Sequence, residues 1–133
     1  MNGDAFRLTL PSRGDHLGTA RSFAAAVARH YAISGEEVED LKLAISEACV
    51  DALVAGTPVH VRAEDAGGAI AFTVDAPERS NGPGPASLDV SERAALDELG
   101  APARIELIRS LFPDTTVSAD GGRRAIHFSL PHG

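Results

Sequence analysis

Two glycine pairs limit the way in which this chain can fold. Gly67-Gly68 separates the segments PVHVRAED and AIAFTVDA, and Asp120-Gly121-Gly122 separates TTVSA from RRAIHFSL. In each case a short glycine turn lies between two segments with strand character, which is the pattern of a β-hairpin. The alternating segment FRLTLP, residues 6–11, predicts a first strand. Because short turns join antiparallel neighbours, the sequence favours an antiparallel sheet.

The helical patterns are grouped and do not alternate with the strands. Residues 15–32 predict one helix, and a second runs from a capping box of Ser34 and Glu37 to Gly56. Further helical patterns cover 91–99 and 101–112. This order predicts an α+β fold, a two-layer sandwich in which helices cover a mostly antiparallel, mixed sheet.

Length and composition fit one globular domain. The 133 residues are interpreted as a single domain over 1–133, in which the segment 76–90, rich in proline and glycine, forms a flexible loop. The net charge of −7 argues against binding to nucleic acid, which needs a clustered basic face. The sequence shows no signal peptide, no apolar stretch of the about 18 residues that a membrane span needs, and a single Cys49. A cytoplasmic protein with a buried thiol is therefore expected.

The segment LKLAISEACVDALVAG, residues 41–56, is apolar almost all round but carries Glu47 and Asp51 one turn apart. At about 100° per residue these two acids share a narrow stripe with Asp40 and Ala44. A solvated edge is one interpretation of this stripe. Two carboxylates at this spacing can also bind Mg²⁺, and one of them can act as a general base.

This segment resembles the first nucleotide-binding motif of the histidine-kinase-like (GHKL) ATPases and, more narrowly, of the anti-sigma-factor serine kinases of bacterial partner-switching systems. The family pattern, Ser-Glu-Ala, two residues and Asn-Ala, is present here as Ser46-Glu47-Ala48, Cys49-Val50 and Asp51-Ala52. The order of elements is similar over nearly the whole chain, and so is the segment ELIRSLFPDTTVSADGGRRAIHFSL. The resemblance implies the histidine-kinase-like ATPase fold, with 76–90 as its nucleotide lid.

The same resemblance implies roles for four residues of a nucleotide site. Glu47 corresponds to the base that activates the attacking hydroxyl, and Asp51 to the asparagine that binds Mg²⁺. Asp75 corresponds to the acid that binds adenine, and Arg104 lies where a phosphate would bind.

The glycines of the other two family motifs are replaced. Pro77 and Arg79 occupy the glycine positions after Asp75, and Pro102 and Arg104 occupy those before Leu107-Ile108-Arg109. Side chains there obstruct the close approach of backbone and ligand. The site is therefore interpreted as degenerate, with no cofactor or only weak binding of ATP and Mg²⁺. In a closed pocket Glu47 and Asp51 would pair with Arg79 or Arg104.

Three functions follow. The first is an anti-sigma-type regulator that binds a sigma factor, an anti-anti-sigma protein, or both, and that can form a homodimer. The residues expected to contact the partner are Arg13, Arg21, Phe23 and Arg29. The alternative is an active serine kinase that phosphorylates an anti-anti-sigma protein. The third, a metal-dependent or small-molecule enzyme, has little support because the five histidines are dispersed and show no zinc spacing.

Overall fold

The computed structural model describes residues 5–11, 16–53, 58–77 and 103–132. The elements in chain order are β1 (Ala5–Leu10), α1 (Leu17–His30), α2 (Glu36–Leu53), β2 (Val59–Asp65), β3 (Ala69–Pro77), a helix over residues 103–111 that we call α3, β4 (Thr116–Asp120) and β5 (Arg123–Pro131). Ala76 and Pro77, predicted as the start of the loop, instead complete β3. The remainder of that loop, 78–90, the predicted helix 91–99 and the predicted stop at Gly56 lie outside the described residues.

The strands form one sheet in the order β1-β2-β3-β5-β4. All four pairings in the described part of the chain are antiparallel, so the α+β class is confirmed and the mixed character expected of the sheet does not occur in these pairs. The reason lies between β1 and β2, where α1 and α2 form an αα-hairpin and pack against each other. A second helix returns the chain in the sense that makes β2 antiparallel to β1, whereas a single crossover helix would make it parallel.

Both predicted hairpins are present. Gly121 and Gly122 have φ angles of 60° and 79°, so both residues of the turn between β4 and β5 are left-handed, as a tight hairpin turn of this length requires. Asp120, predicted in the turn, is the last residue of β4. In the first hairpin the backbone N–H of Gly67 donates to Asp65 Oδ1 over 3.0 Å.

The connection between α1 and α2 contains a helix stop that the sequence did not predict, because it lacks the usual glycine. Ala32 is left-handed, with φ of 59°, and its N–H donates to the Arg29 carbonyl while the N–H of Ile33 donates to the Ala28 carbonyl. These two bonds form a Schellman motif, in which glycine is the usual residue at the position of Ala32.

The start of α2 differs by one residue from the prediction. The helix begins at Glu36, so Gly35, not Ser34, precedes it directly. The Gly35 carbonyl accepts the N–H groups of Val38 and Glu39 at 3.1 and 3.4 Å. The predicted Ser34–Glu37 capping box is therefore wrong.

The helices cover one face of the sheet, which we call the inner face, and the core lies between them. Alternation along β2 and β3 turns Val61, Phe72 and Val74 inward, where each is at most 2% exposed. Their neighbours Arg62, Thr73 and Asp75 point to the opposite, outer face. Buried side chains from all three helices complete the core: Ala20, Ala24, Val27, Ala28, Leu41, Ala44, Ile45, Ala48, Cys49 and Ile108.

Candidate functional site

The α2 helix is packed along most of its length, as its apolar sequence requires. Leu41, Ile45 and Ala48 are fully buried, and so is Ala44, which the sequence placed in the acidic stripe. Leu43, on the other side of the helix, is 40% exposed. The inner packing therefore extends further round the helix than predicted.

Glu47 keeps an open carboxylate on this packed helix. Its side chain is half-buried, and it forms no hydrogen bond or ion pair with any of the described residues. Asp51 follows one helical turn later, inside α2. The predicted closing pair between Glu47 and Arg104 does not form, and Arg79, the other predicted partner, lies outside the described residues. As far as the described residues go, this half-buried carboxylate has no partner and is accessible to a ligand.

Ser46, the residue before Glu47, makes a contact between the two helices. Its hydroxyl Oγ accepts a hydrogen bond from Arg21 Nη1 on α1 over 3.1 Å. Ser46 is 6% exposed, whereas Arg21 belongs to the exposed residues of α1. Arg21, predicted as a contact for a partner protein, is therefore also attached to the helix that carries Glu47.

Asp75 does not lie beside Glu47. It points to the outer face of the sheet and forms an ion pair with Arg123 of β5. The inward position at this end of β3 belongs to Ala76, which is 3% exposed. The adenine-binding role that the resemblance gives Asp75 stays a prediction; in this structure its carboxylate is paired with Arg123. Alternation explains the result, because Phe72 and Val74 face the helices and the next odd position must face away.

Arg124 is a residue of the inner face that the sequence interpretation missed. It pairs with Ala76 across β3 and β5, in the same inward row as Ile126 and Phe128. Burial of its guanidinium lowers the pKa of Arg124. The sequence contains the pattern that predicts this position, because RRAIHFSL alternates and its second arginine falls in the same row as the apolar residues.

The remaining predicted residues are distributed over α1 and α3. Phe23 is half-buried and packs against the core, so it belongs mainly to the interior. Arg29 is exposed in the last turn of α1, and Arg104 is half-buried near the start of the described part of α3. Arg13 lies outside the described residues. The structure therefore brings Arg21 to the helix of Glu47 and separates both from Asp75.

The described residues offer little other site chemistry. They contain no cluster of three or more His, Cys, Asp or Glu side chains that could hold a metal ion. Burial raises the pKa of the Cys49 thiol to about 12, which makes it an inert core residue at neutral pH. None of the helices in this part of the chain is both long and apolar enough to cross a membrane. Within the described strand β3 the acid Asp75 points to the outer face, so this strand gives ATP no carboxylate on the face where Glu47 lies.

Residues 10–129 match the family described as the histidine kinase-like ATPase domain. The serine-protein kinase RsbW of Bacillus subtilis (strain 168) is 31% identical over 71 residues, which cover 53% of this chain but 41% of the relative. The matched region is thus less than half of that kinase. The family match spans most of the chain and agrees with the fold of the described residues, a five-stranded antiparallel sheet covered by α1, α2 and α3, so this chain belongs to the histidine kinase-like ATPase domain family.

Proposed function

We propose that this chain is a regulatory module of the anti-sigma type, which acts by binding a partner protein and whose nucleotide site is degenerate. The partner would be a sigma factor, an anti-anti-sigma protein, or both in competition. Such a module works where transcription takes place, so we keep the cytoplasm as its proposed location. Similarity to a serine-protein kinase over part of its length supports the regulatory class.

The exposed face of α1 is the observation that carries this proposal. The helix sequence LGTARSFAAAVARH contains no acid, although the whole chain has a net charge of −7. Arg21 and Arg29 are exposed on it, eight residues apart, which is about 12 Å along the helix axis. Between them Ser22 and Ala26 are also exposed and small, so a partner can approach the helix closely. A basic surface on an acidic protein fits an acidic partner.

Binding to candidate partners tests the proposal directly. Sigma factors and anti-anti-sigma proteins encoded in the same genome would be purified and titrated calorimetrically with the full chain. We expect a saturable complex that weakens as salt increases, because rim charges contribute through long-range attraction. The double variant Arg21→Glu, Arg29→Glu should lose it. Arg62→Glu, on the outer face of the sheet, is the matched control and should bind normally.

Two outcomes would contradict this proposal. One is the absence of binding to every tested sigma factor and anti-anti-sigma protein. The other is binding that the Arg62→Glu control removes and the α1 variant retains, because the partner would then use the outer face of the sheet.

An active serine kinase is the second candidate, and the open carboxylate of Glu47 favours it. A catalytic base needs access to the hydroxyl that it activates, and Glu47 has no internal partner among the described residues. The absence of an acid beside it on the inner face of β3 argues against tight nucleotide binding. Titration with ATP, with and without Mg²⁺, separates the two functions. No heat at millimolar nucleotide would exclude the kinase, whereas Mg²⁺-dependent binding and phosphate transfer that Glu47→Gln abolishes would establish it.

A further inference from the structure

Ser46 belongs to the motif that suggests a nucleotide site, yet its hydroxyl is used elsewhere. Arg21 Nη1 donates to Ser46 Oγ over 3.1 Å, and Ser46 is 6% exposed. This hydrogen bond crosses from α2 to α1. Because Ser46 is buried, a ligand can hardly reach its hydroxyl. Its effect is therefore on the orientation of Arg21.

The hydrogen bond fixes an arginine on the basic face of α1. An arginine side chain loses substantial rotamer freedom when it is immobilised, and a partner must normally supply that free energy on binding. One N–H of Arg21 is held by Ser46, while the guanidinium carries five donors in a planar fork. Arg29, on the same helix, is exposed and has no hydrogen-bond or ion-pair partner among the described residues. The two arginines therefore differ in how far they are ordered before binding.

We propose that Ser46 positions Arg21 to bind a carboxylate of an acidic partner protein, so that this part of the motif serves the partner surface. The inference rests on the proposed function. Charge complementarity identifies the occupant, because α1 contains Arg21, Arg29 and His30 but no acid. An ordered arginine fork binds a carboxylate through two parallel hydrogen bonds, which makes Arg21 the anchor and Arg29 a weaker, long-range contact.

The first experiment needs no partner. Nitrogen-15 relaxation of the arginine Nε–H groups reports ordering on the picosecond-to-nanosecond timescale. We expect Arg21 to be more ordered than Arg29 in the wild-type chain, and Ser46→Ala to reduce Arg21 to the level of Arg29. Ser46→Thr retains the hydroxyl and should restore the order. An Arg21 side chain as mobile as Arg29 in the wild type would overturn the proposal.

The second experiment measures affinity for the acidic sigma factor or anti-anti-sigma protein that binds in the titrations described above. We expect Arg21→Gln to weaken binding by about tenfold or more, and Ser46→Ala by about three- to tenfold, the effect of one side chain that must be ordered on binding. Ser46→Ala should have no further effect in the Arg21→Gln background, because the two residues act through one contact. Ser46→Thr should bind within about twofold of wild type, because its hydroxyl can still hold Arg21 in place before binding.

A matched control separates positioning from general destabilisation. Ser110→Ala removes a hydroxyl from α3 that donates to the local carbonyl of Leu107, and it should leave affinity unchanged. If Ser46→Ala frees Arg21 but does not change affinity, the hydrogen bond is real and the proposed role is wrong. If no partner binds the wild-type chain, the proposed function fails, and the relaxation data then show whether the Arg21–Ser46 contact is only structural.

Discussion

Asp75 is ion-paired with Arg123 on the outer face of the sheet, while its neighbour Ala76 faces the helices beside Arg124. The residue of β3 on the side where Glu47 lies is thus the alanine, and the acid one position earlier lies on the opposite side. The acid that the family resemblance assigns to the nucleotide is engaged in a contact between strands.

This relationship predicts the behaviour of Asp75→Asn. The free energy of unfolding should fall by up to about 1 kcal/mol, the usual range for an exposed ion pair. The loss should vanish in the Arg123→Gln background. Chemical denaturation of the four proteins of this cycle provides the measurement. Glu64→Gln is the control, because the Arg62–Glu64 pair is wider, at 3.8 Å, and more exposed.

The same variant tests the site. Any affinity for Mg·ATP that the chain retains should be the same in Asp75→Asn and in the wild type, because the side chain points away from α2. A calorimetric titration in which Asp75→Asn alone abolishes nucleotide binding would show that the acid does reach the ligand.

Replacing Ala32 by glycine should stabilise the fold. The residue is left-handed, with φ of 59°, at the end of α1, where an alanine Cβ is strained and glycine is not. Ala32→Gly should therefore raise the free energy of unfolding by about 0.5–1 kcal/mol, the strain of a left-handed alanine less the larger entropy that glycine loses on folding. Ala26→Gly, at an exposed position inside the same helix, is the control and should lower it by about 1 kcal/mol. Equal effects of the two changes on urea denaturation would contradict the explanation.

Three stacked phenylalanines predict the largest effect on stability. The ring of Phe128 lies 5.5 Å from Phe72 and 4.9 Å from Phe112, with interplanar angles of 19° and 29°. Phe128→Ala should lower the free energy of unfolding by about 3–5 kcal/mol, because it removes the middle ring of a buried stack that joins β3, β5 and the end of α3. Leu43→Ala, at a position 40% exposed, should cost much less. Thermal or urea unfolding would measure both.

Asp65 predicts part of the acid sensitivity of the fold. The N–H of Gly67 and the ring of His132 lower the pKa of Asp65 below its ordinary value of 3.8. A carboxyl whose pKa is lower in the folded state stabilises the fold above the unfolded-state pKa, and that contribution disappears as the pH falls through the folded-state value. Urea midpoints between pH 6 and pH 2 should therefore fall less steeply below about pH 4 in Asp65→Asn than in the wild type. Parallel curves would refute this assignment, and Glu64→Gln controls for the loss of one charge.

Much of the fold could be predicted from the sequence, because it is encoded by local signals. Alternation and the glycine pairs identified β2, β3, β4 and β5, and helical periodicity identified α1 and α2. The errors concern features that depend on competition between neighbouring residues. Gly35, and not Ser34, directly precedes α2. Ala32 ends α1 in the left-handed conformation for which glycine is the usual residue.

The candidate site was predicted less completely. The motif predicted the family that the match over residues 10–129 shows. It also placed Glu47 on a helix, α2, and the role of Glu47 as a base stays a prediction. The sequence also contained the alternation that turns Asp75 outward and Arg124 inward. A motif alignment gives the order of residues along the chain but not the face of the strand, so it could not show that Asp75 lies on the outer face.

The sequence by itself determined the elements, the hairpins and the family, since these depend on periodicity and turn residues over a few positions. Only the tertiary structure decided that Arg21 is held by Ser46 and that Asp75 and Glu47 lie on different faces of the sheet. Arg21 and Ser46 are 25 residues apart in the chain, and Asp75 and Arg123 are 48 apart. Contacts over such separations depend on how α1 packs on α2 and on the register of β3 with β5, which side-chain packing across the whole core determines.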